Sequence, residues 1–453
     1  MRRFADRIGG PLALFRLTCS THEYGYVVAV KLGRLLKSVQ GDVGMQRYYI
    51  LEREMDAEDE GFASVVSQAY ALREKPVCLC RRDEVLPLYI SFRHNQHVLS
   101  RWPGTGAKHA PGCEHYEAPD FLTGLGQVRG SAIVEDQDTG DTDLKFAFPL
   151  SRGPARAAPA ALTNDKPSVQ SNGQRLSMRG MLHYLWDRAQ LTHWHPKMKD
   201  KRNWYIVRRA LQAAALSCRA RGENFGKTLF IPETFRLEKK DEIAARRESE
   251  LMPVHASRDA IMVVIGEVKS IEEARFGEKI LLRHLPDWPF VLDKDMARRF
   301  HRRFAVEQQL WNSDGGKCHL VMAGTFSLSD SGLPELIEVT IMPVTEQWLP
   351  FETLDERRLI DKAIADERRF VKGLRVNLAR DVPIASLSLT DTGPSATAVF
   401  LAHNRVDPAY DEALHALMNT PGVEHIVWRT GAQLPGARST RTARPARSNL
   451  TLQ

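Results

Sequence analysis

The chain has 453 residues, of which 43% are hydrophobic and 26% charged, the composition of a globular protein and not of a disordered or collagen-like one. A membrane span needs roughly 18 consecutive apolar residues; the longest apolar run, Ile261 to Ile265, suits a single strand, so a soluble protein with no membrane partner is expected. The formal net charge is +7, but Arg429, Arg438, Arg441, Arg444 and Arg447 follow Glu424 with no acid among them, and the remaining 58 basic residues nearly balance the 56 acidic ones.

Residues 1–45 read as an N-terminal extension. Their opening, MRRFADRIGGPLALFRL, has an apolar segment broken by Arg16 and no small-residue cleavage pattern, which makes a poor signal peptide, and Met45 offers an alternative start. Globular text begins at Gln46-Arg-Tyr-Tyr-Ile-Leu51. Over 61–72 the spacing of Phe62, Val65, Val66, Ala69 and Tyr70 predicts a helix with one apolar face.

The stretch from Pro76 to Glu117, PVCLCRRDEVLPLYISFRHNQHVLSRWPGTGAKHAPGCEHYE, holds three of the six cysteines. Cys78 and Cys80 form a C-x-C pair, Cys113 and His115 a C-x-H pair, and His109 stands four positions before Cys113. Thiolate and imidazole are the ligands that a structural zinc ion takes, four of them closing a tetrahedron. Residues two apart on an extended strand share a face, so Cys78 and Cys80 can grip one ion. The runs Leu86–Phe92 and Val98–Trp102 predict a hairpin that returns the second ligand pair to the first, and Pro103-Gly-Thr-Gly106 and Pro111-Gly112 supply turns. His109 or His115 can complete the set. The expected site is Cys78, Cys80, His109 and Cys113, with His115 as the alternative fourth ligand and structural zinc as the cofactor. Isolated cysteines are more often buried thiols, and Cys19, Cys218 and Cys318 fit that description and a reducing cytoplasm.

Residues 46–150 are therefore read as a zinc-binding module, ending in strands near 128–134 and 144–148. Residues 151–173, rich in Pro, Ala, Ser and Asn, read as a linker. From 174 to 345 a helical hairpin leads into an α+β region. Ser177 is placed to cap a helix, and Trp204–Arg219 forms a second; the aromatic turn Thr192–His195 between them permits a DNA-reading helix-turn-helix, although a plain helical hairpin fits the aromatic spacing better. Strands follow at 228–231, 260–265, 279–283, 319–323 and 336–342. One amphipathic helix is expected over Asp295–Trp311, with Arg298, Arg299, Arg302 and Arg303 on its polar face.

Asp259 and Glu267-Val-Lys269 imitate a nuclease signature. Along a single strand at about 3.3 Å per residue their carboxylates stand roughly 26 Å apart, too far to share one ion. In residues 346–430 a helix over Glu352–Phe370, a hairpin of Ile384–Thr390 with Ala398–Leu401, a helix over Tyr410–Met418 and a strand at Ile426–Trp428 give the core order of a restriction-endonuclease-like fold. The second hairpin strand carries Val399, Phe400 and Leu401 where such an enzyme places an acid. The domain is thus expected to be degenerate. A metal-dependent nuclease built from Asp391 with Glu352 or Glu356 is the alternative. Residues 431–453 read as a disordered basic tail, with Arg438, Arg441, Arg444 and Arg447 as its phosphate-contacting residues.

The segments PVCLC, SRWPGTGAKHAPGCEHYE, LHYLWDRAQLTHW, IGEVK and RRFVKGLRV resemble the bacterial family called domain of unknown function 1173, over about Gln46 to Trp428. The resemblance implies Cys78, Cys80, His109 and Cys113 as metal positions, with His115 outside the shared pattern. It also implies an association with plasmids and integrated mobile elements. Family members carry Pro-Asp and Leu-Glu-Val-like text where this chain has Pro383-Ile384 and Val399-Phe400, which weakens a nuclease reading here. The expected protein is α+β and multidomain, a zinc-stabilised accessory protein that associates with DNA or with mobile-element proteins. A scaffold without nucleic-acid binding is a further alternative.

Overall fold

The computed structural model describes residues 46–437 except 82, 94–95, 137–139, 152–172, 258, 314–316 and 403–406. The N-terminal extension, nearly all of the expected linker, and tail residues Arg438, Arg441, Arg444 and Arg447 lie outside the described residues. The architecture is mixed α+β, with four sheets among the described residues.

The first sheet contains β1 (Arg47–Ile50), β2 (Arg53–Asp56), β3 (Val77–Cys78), β4 (Leu86–Arg93) and β5 (Gln96–Arg101), in the order β2-β1-β3-β4-β5. Helix α1 (Phe62–Ala71) buries Val65, Val66 and Ala69 against Tyr48, Ile50, Leu86 and Leu88. The expected hairpin forms, with Leu88 opposite Arg101 and Ile90 opposite Leu99. This core is small, the situation in which a domain needs a staple.

A second sheet joins β6 (Ile133–Glu135) and β7 (Thr142–Leu144) to two strands that come after the helical hairpin. Helix α2 (Met178–Arg188) is capped by Ser177, whose hydroxyl accepts from the Gly180 amide at 3.0 Å. Trp186 is fully buried. A two-residue strand, β8 (His193–Trp194), occupies the aromatic turn, and α3 (Trp204–Leu216) follows with Trp204 in the same core. The chain continues through β9 (Cys218–Ala220), β10 (Glu223–Asn224), β11 (Leu229–Phe230), α4 (Lys240–Glu250) and α5 (Met252–Ala256).

The third sheet closes on itself. Besides β11, which adds to β12, its strands are β12 (Met262–Ala274), β13 (Gly277–Leu282), β14 (Leu285–Asp293), β15 (His319–Leu328) and β16 (Pro334–Val344). They run in the order β12-β13-β14-β16-β15, and β15 pairs back onto β12. Within this closed ring all neighbours are antiparallel except β14 and β16, which are parallel, and β11 lies parallel to β12 outside it. With its helices between the third and fourth strands, this is the connectivity of the five-stranded Greek-key barrel known as the OB-fold. The apolar start of β12 is explained by burial on both sides. Met262, Val264 and Val268 point into the barrel, while Val263 and Ile265 pack outward against the α2–α3 core.

The single helix expected over Asp295–Trp311 is two: α6 (Lys294–Arg303) and α7 (Ala305–Ser313). They serve different cores. Met296, Ala297, Phe300 and Phe304 fill the barrel, whereas Leu310 enters the C-terminal core, so the axis breaks at Phe304.

The fourth sheet has the order β20-β19-β18-β17-β8, from β17 (Phe370–Lys372), β18 (Leu387–Leu389), β19 (Thr397–Leu401) and β20 (Glu424–Trp428). Helix α8 (Leu354–Ala365) precedes it and α9 (Pro408–Met418) crosses to β20, which runs parallel to β19. The expected helix to Phe370 stops early because Glu367 adopts φ 51°, a left-handed helix stop, and the Arg368 amide turns back to the Ala363 carbonyl at 2.9 Å. Phe370 then pairs with Trp194 of β8.

Candidate metal centre

Four side chains named by the sequence meet. Ligand atoms of Cys78, Cys80, His109 and Cys113 all lie within 4.8 Å of one another, the one such group found among the described residues. Cys78 sits on β3, in the middle of its sheet between Tyr48 and Leu86, and Cys80 follows two residues later. His109 ends a 3-10 turn over Gly106–Lys108, and Cys113 closes the next turn through its amide to the Ala110 carbonyl at 2.9 Å. The two halves of the site thus come from the central strand and from a loop laid across it.

The distances discriminate between chemistries. Cys78 Sγ and Cys113 Sγ are 3.6 Å apart, and His109 Nδ1 lies 3.4 Å from Cys80 Sγ and 3.8 Å from Cys113 Sγ. A disulfide would need about 2.05 Å. A zinc tetrahedron, with Zn–S of about 2.3 Å and Zn–N of about 2.0 Å, has S–S edges of about 3.8 Å and S–N edges of about 3.5 Å. The observed edges are those of the tetrahedron. Two backbone amides support the sulfurs, Ala110 N to Cys80 Sγ and His115 N to Cys113 Sγ, each at 3.4 Å. The donor set fits a zinc ion.

The packing of these atoms splits the thiols. Cys80 is driven well below its ordinary range, first by the hydrogen bond from Cys113 and then by that from Cys78, against the opposing effect of burial. Cys113 is driven far above it by the same bonds to Cys78 and Cys80, with burial adding to the rise. A divalent ion would let all three sulfurs bind as thiolates.

His115 is placed beside the group and not in it. Its ring lies 5.4 Å from that of His109, and its Nε2 faces the Tyr48 hydroxyl at 3.3 Å. Burial, then His109 and Arg101, push its pKa down to about 3, so it is neutral near pH 7. Tyr48 also donates to Glu114. Sequence reasoning missed Tyr48 as a wall of the site, because only the pairing of β1 with β3 brings it there.

Each acid of the nuclease alternative is held by a basic partner. The Asp391 carboxylate receives Arg368 Nη2 at 2.5 Å and the Arg369 amide at 2.9 Å. Glu352 is paired with Arg375 Nε at 2.6 Å, and buried Glu356 with buried Lys372 at 2.8 Å. Burial raises the Glu352 pKa, but Arg375 and then Arg179 outweigh it and hold the group at about 2. Asp391 does not join Glu352 or Glu356 in a metal-ligating group among the described residues.

The family model for a protein of unknown function, DUF1173, matches residues 48–431. The chain belongs to the DUF1173 family. In this DUF1173 protein the match spans the metal centre, the barrel and the C-terminal sheet together. No curated protein and no solved structure matches the chain. No helix among the described residues is long and apolar enough to cross a membrane.

Proposed function

We propose that this protein is a zinc-stabilised, nucleic-acid-associated accessory protein of a plasmid or integrative element. The observation that carries the zinc part is the Cys78, Cys80, His109 and Cys113 group, whose edges match a tetrahedron. Four protein ligands leave no open coordination position, so the ion would be structural: it would tie the loop over 105–117 to β3 and supply the staple that the small core lacks. Association with nucleic acid is supported by the net charge of +7 and the arginine tail. We read the C-terminal sheet as restriction-endonuclease-like, on the order helix, three antiparallel strands, helix, parallel strand, and as lacking that fold's metal-binding acids.

Metal content per chain, measured by elemental analysis on wild type and on Cys113→Ser, tests the first part. One zinc per chain, lost in the variant, is the expected result; metal-free protein purified without chelator would remove the reading. Retention on DNA that falls steeply with salt tests the second. Plasmid cleavage with Mg²⁺ or Mn²⁺ that disappears in Asp391→Ala would replace it with the nuclease alternative.

A further inference from the structure

The barrel offers a surface that the metal centre does not use. The turn from β12 to β13 consists of Arg275 and Phe276, and Phe276 is 70% exposed. The Arg275 guanidinium lies over the Phe276 ring, 5.0 Å from its centroid. Gly277 has φ 144°, and a Cβ there would stand 2.1 Å from the Leu292 carbonyl, so the turn is pressed onto β14 with its aromatic residue left outside. The second turn at this face, 329–333 between β15 and β16, ends in Leu333, which is 43% exposed. The two turns flank one row of the sheet, in which Lys279 of β13 pairs with Val291 of β14 and Val291 with Glu335 of β16.

Charges of both signs lie around this face. Of the carboxylates around this face, Glu272 is held by Lys279 at 3.2 Å, Glu278 by His301 at 2.7 Å and Asp287 by Arg247 at 2.8 Å, while Glu273 and Glu335 are exposed. Exposed Lys269 and Arg275 have no ion pair among the described residues. An exposed aromatic ring with a cation stacked on it suits a single strand of nucleic acid, because its bases are free to stack on the ring while a phosphate meets the cation. Duplex bases are already stacked on one another and do not need such a platform. In barrels of this connectivity, the face of the second and third strands and the turns beside it are where oligonucleotides lie.

With nucleic-acid association as the premise, we infer that the outer face of β13 and β14, led by Phe276 and Arg275 and assisted by Lys269, binds single-stranded nucleic acid by base stacking and phosphate contact. The test is fluorescence anisotropy of the full chain with labelled oligo-dT, oligo-U and a duplex of the same length, at low and moderate salt. The variants are Phe276→Ala, Arg275→Ala and a tail variant with Arg438, Arg441, Arg444 and Arg447 all changed to alanine. Because Phe276 is exposed, its substitution leaves the fold intact, which far-UV circular dichroism verifies.

Single strands should bind more tightly than duplex, and Phe276→Ala should weaken them at least about fivefold. Whichever of oligo-dT and oligo-U binds better identifies the preferred sugar. Binding that Phe276→Ala leaves unchanged while the tail variant loses it, or a preference for duplex, overturns the barrel assignment and leaves the nucleic-acid reading standing. Retention of none of the three overturns both.

Discussion

Glu267 and His319 are joined by a hydrogen bond of 2.8 Å between Oε1 and Nδ1, with the carboxylate buried in the barrel wall. His284 Nε2 approaches the second oxygen at 3.6 Å, and Arg283 Nε reaches the first at 2.8 Å. His319 stacks on Trp348 at 4.2 Å, and His284 on Trp204 at 5.5 Å. Trp348 holds a positive φ of 62°, a conformation that a bulky residue adopts only when its surroundings impose it. The carboxylate therefore fastens β12, the β13–β14 turn and the start of β15 together.

Burial raises the pKa of Glu267, but the hydrogen bonds from His284 and His319 outweigh it and hold the group at about 2. A carboxyl depressed in the folded state contributes stability above its unfolded pKa of about 4.3 and loses it as pH falls toward the folded value. Glu267→Gln should therefore cost on the order of 3 kcal/mol near neutral pH. Urea denaturation from pH 7 down to about 2 should show the gap between wild type and variant closing below about 4.3; a gap independent of pH would exclude this ionic role.

Chelation should act locally. Zinc binding is worth roughly 10–16 kcal/mol in small zinc peptides, against ~5–15 kcal/mol for the stability of a whole domain. Limited proteolysis in EDTA should cut first within 46–117 and leave the barrel resistant, and unchanged resistance there would mean that the cysteines are ordinary core residues.

The choice of imidazole is separable. His109→Ala should abolish metal retention, whereas His115→Ala should keep the ion and lose only packing against Tyr48. The reverse pattern by elemental analysis would make His115 the ligand.

Lys372 and Glu356 are each almost fully buried and paired at 2.8 Å. Lys372→Met leaves a buried carboxylate without its cation and should cost about 3–5 kcal/mol by urea denaturation, while Lys372→Met with Glu356→Leu should recover most of that loss. If the double variant is no better than the single one, the pair acts through something other than its charge.

The parts of this protein that could be read from its sequence are those built from neighbours. The C-x-C pair, the hairpin of β4 and β5 and the Ser177 cap all depend on residues a few positions apart, and the four thiol and imidazole positions could be named because the hairpin had to return them. The barrel was not legible, because its closure depends on β12 meeting β15 and β14 meeting β16, pairings between strands separated by two helices. Phe370 fits the periodicity of α8 yet belongs to a strand, since the Glu367 turn and Trp194 decide its state. His193 and Trp194 read as a turn for the same reason: their partner lies far along the chain.

That partner is also late. Trp194 leaves the ribosome well before Phe370 exists, roughly 9–35 s earlier at ~5–20 residues per second. During that interval residues 193–194 have no strand to pair with. In the finished fold Arg202 braces this short edge, donating to the Leu191 carbonyl at 2.8 Å and to the His193 carbonyl while its guanidinium lies over the Trp194 ring at 5.6 Å. The last place in the C-terminal sheet is thus shaped by a side chain only eight positions from Trp194, although the strand that fills it comes from far along the chain.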